Sequence, residues 1–242
     1  MDIASACELW LQYERRDVDS YIDPDDHMKS DVDKYLAIGR SAVRSILAAL
    51  LTSSRTNVSS ILDFGCGHGR VARHLRSLFP EAQLAVADTI RGWVDFCADR
   101  YQASPIVTER DLRHVRVPGG YDLIWVGSVF THVDYDRMCF LFTTLLDALN
   151  PGGVLVATFR GPSTMNLGRG VSSEKWEQIV SAFTRDGVGY EDYGLPEWPD
   201  WGQALISAGK IAELGYRVPA RLIFFSERAW ADRQDVAAWQ RA

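Results

Sequence analysis

Apolar positions along this chain alternate between short continuous runs and stripes of period near 3.6, the pattern of strands joined by helices. Tyr35, Ile38, Ala42, Val43, Ile46, Leu47 and Leu50 form the first stripe, which predicts a helix from Ser30 to Leu51. Ser30 and Asp33 there resemble a capping box, and the stripe is expected to lie on the main domain. After a polar connector from Thr52 to Asn57, strands are predicted at Val58–Phe64, Gln83–Ala87, Pro105–Thr108, Tyr121–Val126 and Val154–Phe159. Helices His68–Leu78, Gly92–Tyr101 and Tyr135–Leu149 fall between them. The fourth strand is almost wholly apolar, as expected at the centre of a parallel sheet. The last of these helices carries Met138, Leu141, Leu145, Leu146 and Leu149 on one face and stops at Asn150-Pro151-Gly152-Gly153.

Beyond Arg160 the alternation weakens. A loop is predicted from Gly161 to Gly170 and a helix from Ser173 to Phe183, followed by a tract from Gly187 to Gly202 rich in Gly, Pro, Tyr and Trp. Two late strands, Ala220–Phe225 and Asp235–Trp239, are close enough in sequence to finish the sheet as an antiparallel hairpin. The expected fold is therefore α/β, a Rossmann-like doubly wound sheet, with residues 1–57 as a helical extension and 58–242 as one domain with C-terminal elements.

Composition narrows the function. At 242 residues, 47% hydrophobic and 24% charged, the chain has ordinary globular proportions. A net charge of −6 argues against a nucleic-acid backbone as partner, because that role needs a broad basic face. No uninterrupted apolar run reaches the roughly 18–20 residues of a membrane span, and the N-terminus lacks a signal-type core, so a cytoplasmic protein is expected. Cys7, Cys66, Cys97 and Cys139 are irregularly spaced and are read as buried free thiols, with no metal site. Six of the eight tryptophans lie beyond residue 120, where they serve a core or a pocket wall.

The densest chemical signal is Ile61-Leu62-Asp63-Phe64-Gly65-Cys66-Gly67-His68-Gly69-Arg70, a strand running into alternating glycines. Gly65, Gly67 and Gly69 permit a tight turn and let backbone N–H groups, Cys66 included, approach a ligand at a helix N-terminus. Gly67-His68-Gly69-Arg70-Val71-Ala72 also satisfies the dinucleotide fingerprint, so a nicotinamide oxidoreductase is the competing reading. Asp88, with Thr89 beside it, ends the second strand, where a carboxylate either accepts from ribose hydroxyls or caps the next helix. Asp63 holds the glycine turn or reaches a ligand's ammonium. Asp111 and Leu112 follow the third strand and are placed against an adenine edge, although Glu109 and Arg110 offer other registers. Gly127, Ser128 and His132 leave the C-terminal end of the fourth strand. His132 suits a general base there, with Asp134 as an orienting carboxylate, or else packs beneath the next helix. Tyr190, Tyr193, Trp198 and Trp201 form an acceptor wall or pack the C-terminal segment.

In combination, Leu62 to Gly69 with Asp88, Phe130-Thr131-His132, and Leu149-Asn150-Pro151-Gly152-Gly153 resemble the class I S-adenosylmethionine-dependent methyltransferases. Tyr35-Leu36-Ala37-Ile38-Gly39, Gly189-Tyr190-Glu191-Asp192-Tyr193, Leu205-Ile206-Ser207 and Gln234-Asp235-Val236 are similar to a bacterial group often found beside glycosyltransferases. That group usually has His before the Gln-Asp pair, where this chain has Arg233. The resemblance implies a seven-stranded, mostly parallel sheet with a late antiparallel strand and S-adenosylmethionine as cofactor, and it does not identify the acceptor; the leading expectation is a small-molecule or glycan acceptor methylated at oxygen. A cofactor-binding protein without turnover is the third reading, motivated by Arg233.

Overall fold

The computed structural model describes residues 1–53, 55, 57–167 and 170–242. Part of the predicted connector, residues 54 and 56, and part of the predicted loop, residues 168 and 169, lie outside the described residues.

Five strands alternate with helices as the hydrophobic pattern requires. They are β1 (Ser60–Phe64), β2 (Gln83–Asp88), β3 (Ser104–Val107), β4 (Tyr121–Val126) and β5 (Leu149–Phe159). Helices α3 (Ala72–Leu78), α4 (Arg91–Tyr101) and α5 (Tyr135–Asp147) connect them. The sheet is completed by β8 (Ala220–Trp230) and β9 (Gln234–Arg241), giving the order β3-β2-β1-β4-β5-β9-β8. The five early strands pair in parallel, while β9 runs antiparallel to both β5 and β8. The seven-stranded sheet and its late antiparallel strand thus stand as expected. All six residues of β4 are buried at the sheet's centre.

Ahead of the sheet lie α1 (Ile3–Glu14), which the pattern did not reveal, and α2 (Val32–Thr52). Ala42, Val43, Ile46, Leu47 and Leu50 of α2 share one core with Tyr13, Ile61, Leu75, Val86 and Trp125. Each such Leu or Ile contributes about 1.5–3 kcal/mol relative to exposure. The N-cap of α2 is Asp31, whose Oδ1 accepts from the Asp33 and Lys34 amides at 3.0 and 3.3 Å, so the expected Ser30 box is not used. Among the described helices, α2 is long and apolar enough to cross a membrane, and half of its apolar window is buried inside the protein.

The tract after Arg160 holds more order than its composition foretold. Helix α6 (Ser173–Asp186) leads into β6 (Val188–Asp192), which pairs antiparallel with β7 (Gly202–Ile206) in a separate ribbon, and α7 (Ala208–Leu214) returns the chain to β8. Asn150-Pro151-Gly152-Gly153 lies inside β5 instead of ending a helix. A Cβ at Gly153 would sit 3.0 Å from the Tyr121 carbonyl, so β4 and β5 need glycine to close there. Cys66, Cys97 and Cys139 are buried thiols, whereas Cys7 is exposed.

Candidate functional site

A cleft of about 820 Å³ runs along the C-terminal ends of β1, β2 and β4. Its size falls within the roughly 300–1,000 Å³ usual for ligand clefts. Asp63, Gly65, Cys66, Gly67, Asp88, Thr89, Leu112, Gly127, Ser128, His132, Tyr193, Trp198 and Trp201 all line it. Gly69, Asp111 and Tyr190 do not line it.

One end of the cleft is built from the glycine turn. Gly65, Gly67 and Gly69 have φ of +79°, +50° and +75°, which glycine adopts without strain. The Gly65 and Cys66 amides donate to the Ala87 carbonyl at 2.8 and 3.0 Å, tying the turn to β2. Only open space surrounds a Cβ built on Gly67, while one on Gly69 would strike the Tyr101 ring. Gly67 therefore keeps the cleft floor free, and Gly69 serves packing against α4.

Asp88 performs two tasks at once. Its Oδ2 accepts from the Gly67 amide at 3.0 Å, and its Oδ1 accepts from the amides of Thr89 at 2.7 Å and Ile90 at 3.3 Å. Asp63 is fully buried with Oδ2 lacking a hydrogen-bond partner. Burial first, and then the charge of Asp88, push its carboxyl up to about 7. Asp111 faces elsewhere: Arg113 donates to it from its amide, Nε and Nη2 at 3.0, 3.0 and 2.8 Å. Those bonds hold the Asp111 carboxyl well below its usual range. Of the expected Asp111–Leu112 pair, Leu112 lines the cleft after β3 and Asp111 does not.

The other end is built from distant segments. Ser128 takes φ +63°, a conformation that costs a non-glycine residue about 1–3 kcal/mol. It is held there because its amide donates to Thr158 Oγ1 at 2.8 Å and Gln234 Nε2 donates to its Oγ at 2.8 Å. Thr158 in turn donates to Gln234 Oε1 at 2.7 Å, closing the network. Gln234 was not singled out for this task by its sequence context. Arg233, by contrast, is exposed and does not line the cleft.

His132 sits where this floor meets the β6–β7 ribbon. The Gly202 amide donates to the His132 carbonyl at 2.8 Å, and the Ala204 amide donates to Thr131 at 3.0 Å. The His132 Nδ1 lies 3.0 Å from the Gly202 carbonyl and 2.7 Å from the Tyr193 hydroxyl. A carbonyl only accepts, so Nδ1 carries the proton and Nε2 the lone pair. Burial drops the imidazole to about 4, which keeps it neutral at physiological pH. Tyr193 Oη also accepts from Gln203 Nε2 at 2.6 Å, leaving its own O–H free to donate. Asp134, the expected orienting carboxylate, instead caps α5 and pairs with Arg137. Tyr190 donates to the Asp200 carbonyl at 2.7 Å, outside the wall. Trp201 stands 6.4 Å from the His132 ring and 6.1 Å from Trp198.

The sequence pattern missed a third contribution. Asp26, His27, Met28 and Tyr35 come from the N-terminal segment, and Arg70, Trp93, Trp125 and Trp230 join them along the cleft. Among the described residues no cluster of three or more His, Cys, Asp or Glu could hold a metal ion.

The cleft's features fit an adenosyl sulfonium with an amino-acid end: open space over Gly67, a carboxylate at the end of β2, and an unsatisfied Asp63 oxygen. Residues 61–153 match the family model described as methyltransferase domain. Over 135 residues the chain is 24% identical to the malonyl-[acyl-carrier protein] O-methyltransferase of Acetivibrio thermocellus, covering 55% of this chain and 47% of that protein. The match thus spans about half the length of that curated relative. An S-adenosylmethionine-dependent methyltransferase from Clostridium acetobutylicum superposes with TM-score 0.58 at 11% identity, covering 88% of this chain and 93% of the other. Magnesium protoporphyrin IX methyltransferase from Synechocystis PCC 6803, solved with bound SAH, superposes with TM-score 0.54 at 15% identity over 99% and 95% of the two chains. These two likenesses show the fold. The family match decides against the dinucleotide reading of Gly67 to Ala72, and S-adenosylmethionine is the cofactor. Residues 61–153 thus match a methyltransferase domain, set in a fold shared with S-adenosylmethionine-dependent methyltransferases.

Proposed function

We propose that the protein methylates a hydroxyl oxygen of a small molecule or of a sugar or glycan intermediate, with His132 as general base. The observation that carries this reading is the fixed tautomer of His132, whose proton is held by the Gly202 carbonyl on the Nδ1 side. Nε2 is then the nitrogen that takes a proton from an acceptor in the cleft. A hydroxyl acceptor needs that service more than an amine or thiol does. S-adenosylmethionine, when bound, supplies an electrophilic methyl group on a sulfonium.

The chain's own residues do the remaining work. On this reading Asp88 accepts from the ribose hydroxyls, with Thr89 and Leu112 beside the adenosyl group and Asp63 accepting from the ammonium. Gly127 and Ser128 form the floor between donor and acceptor. Tyr193, Trp198 and Trp201 wall the acceptor with aromatic faces, and the Tyr193 O–H supplies one directional donor. Such walls suit a sugar or ring and demand no charge from it. Holding two reactants in line supplies about 7–11 kcal/mol of barrier reduction in favourable cases. Residues 58–242 act as the methyltransferase unit and residues 1–57 cover its glycine-turn end.

Donor labelled in the methyl group, offered with panels of sugars, phenols and carboxylic acids, tests the reading. Label should pass to a hydroxyl-bearing acceptor, with His132→Ala losing turnover while retaining donor affinity by calorimetry. Transfer only to carboxylic acids, or undiminished transfer by His132→Ala, would overturn the proposed base. Absence of transfer with every acceptor, in a protein that binds the donor, favours a binding protein without turnover.

A further inference from the structure

Arg70 follows the glycine turn and forms no ion pair among the described residues. Its guanidinium lies between two aromatic faces, 5.8 Å from the Tyr35 ring centroid and 5.4 Å from that of Trp230. It lines the cleft, and burial works against its charge. No acceptor among the described residues takes its N–H groups within hydrogen-bond distance. The acid in its field is Asp26, which is already committed: Oδ2 accepts from the Tyr35 hydroxyl at 2.7 Å and Oδ1 from the Met28 amide at 2.8 Å. Arg73, three residues on, shows what a structural arginine looks like here. Its Nη1 donates to the Asp19 and Tyr21 carbonyls at 2.9 and 2.7 Å, and its Nε to Gly69 at 3.1 Å.

Aromatic faces attract a cation but leave the in-plane N–H fork unmet. That fork matches a carboxylate through two parallel bonds. Across the same turn, Asp63 keeps its orphaned oxygen, and it forms no ion pair with Arg70 among the described residues. A guanidinium with no hydrogen-bond acceptor among the described residues and a carboxyl with one unmet oxygen line the same cleft, and together they fit an α-amino-acid end that carries a carboxylate and an ammonium.

We propose that Arg70 is the carboxylate anchor of the cleft, its plane set by Tyr35 and Trp230, opposite Asp63 as ammonium acceptor. This rests on the donor reading above. The carboxylate is either the methionine carboxylate of the donor or one on the acceptor, and binding experiments separate the two.

Calorimetry with S-adenosylhomocysteine and with 5′-methylthioadenosine, which lacks the amino-acid end, is the test, using wild type, Arg70→Met and Arg70→Lys. Arg70→Met should weaken S-adenosylhomocysteine roughly 10- to 100-fold and leave methylthioadenosine within about twofold. Arg70→Lys should recover part of the loss, since it restores charge without the fork. If S-adenosylhomocysteine binds Arg70→Met unimpaired, benzoate is titrated into the protein saturated with S-adenosylhomocysteine. Binding there by wild type and not by Arg70→Met places the carboxylate on the acceptor, which also supports the anchor. Equal behaviour of wild type and Arg70→Met in both titrations overturns it. Wild type that binds neither nucleoside removes the donor reading instead, and this inference with it.

Discussion

The two ends of the cleft are built by opposite strategies. At the glycine turn, the groups that matter lie within one β-α-β unit: Gly67 and Asp88 are 21 residues apart, and backbone amides do most of the holding. At the His132 end, the ring is oriented by Gly202 and Tyr193, 70 and 61 residues away, across the β6–β7 ribbon. The first end is a local motif that any chain with this strand-turn-helix could carry. The second exists only after the fold has closed. Cofactor recognition and acceptor chemistry should therefore fail separately when each end is damaged.

The strongest test of that separation is His132→Ala. General-base loss is expected to lower turnover by about 10²–10⁴-fold, with donor affinity by calorimetry unchanged. A parallel fall in donor affinity would mean that the ends are coupled. Asp88→Ala should do the reverse. Loss of charge-assisted bonds to both the Gly67 amide and the ligand is expected to weaken donor binding by about 100-fold, without altering the tryptophan environment at Trp198 and Trp201 seen by fluorescence.

A smaller effect is expected of Gly189→Ala, because a Cβ there would overlap the Ile179 carbonyl of α6. Destabilisation of about 1–3 kcal/mol should lower Tm by about 2–4 °C per kcal/mol for a chain of this size. Turnover should fall while the folded fraction still binds donor.

The smallest effect is one of pH. Asp63 rises to about 7 in the free protein, and an ammonium is accepted only by its carboxylate form. Donor affinity should therefore drop as pH falls below 7, by at most about tenfold per unit, and level off above it. Asp63→Asn should flatten that dependence. A profile unchanged by Asp63→Asn would assign the ammonium to another group.

The same contrast explains what the chain disclosed on inspection. The five early strands and the late strand pair follow from short-range periodicity, and the glycine turn and Asp88 from a motif contained within one strand-turn-helix-strand segment. Of the pair Asp111 and Leu112, Leu112 alone lines the cleft, because neighbouring residues of a loop face different ways and Arg113 two residues on gives Asp111 a near partner. The Gly187 to Gly202 tract concealed β6 and the start of β7, since each strand is five residues long and the turn between them interrupts the composition. The polar Glu227 and Arg228 hid the far end of β8, where a register shift between Ser226 and Trp230 carries the strand on to the cleft. No local pattern announces that Tyr35 and Trp230 meet around Arg70, because their pairing spans nearly the whole molecule.

Gln234 lies 106 residues beyond Ser128 and steadies the unfavourable backbone there. A nascent chain emerging from the ribosome presents its glycine turn long before that amide arrives. The glycine turn can thus assemble early, but the Ser128 backbone gains its final brace only when β9 threads between β5 and β8. The shape of the cleft floor at Ser128 is in this sense a late acquisition of biogenesis, set by a strand near the far end of the sequence.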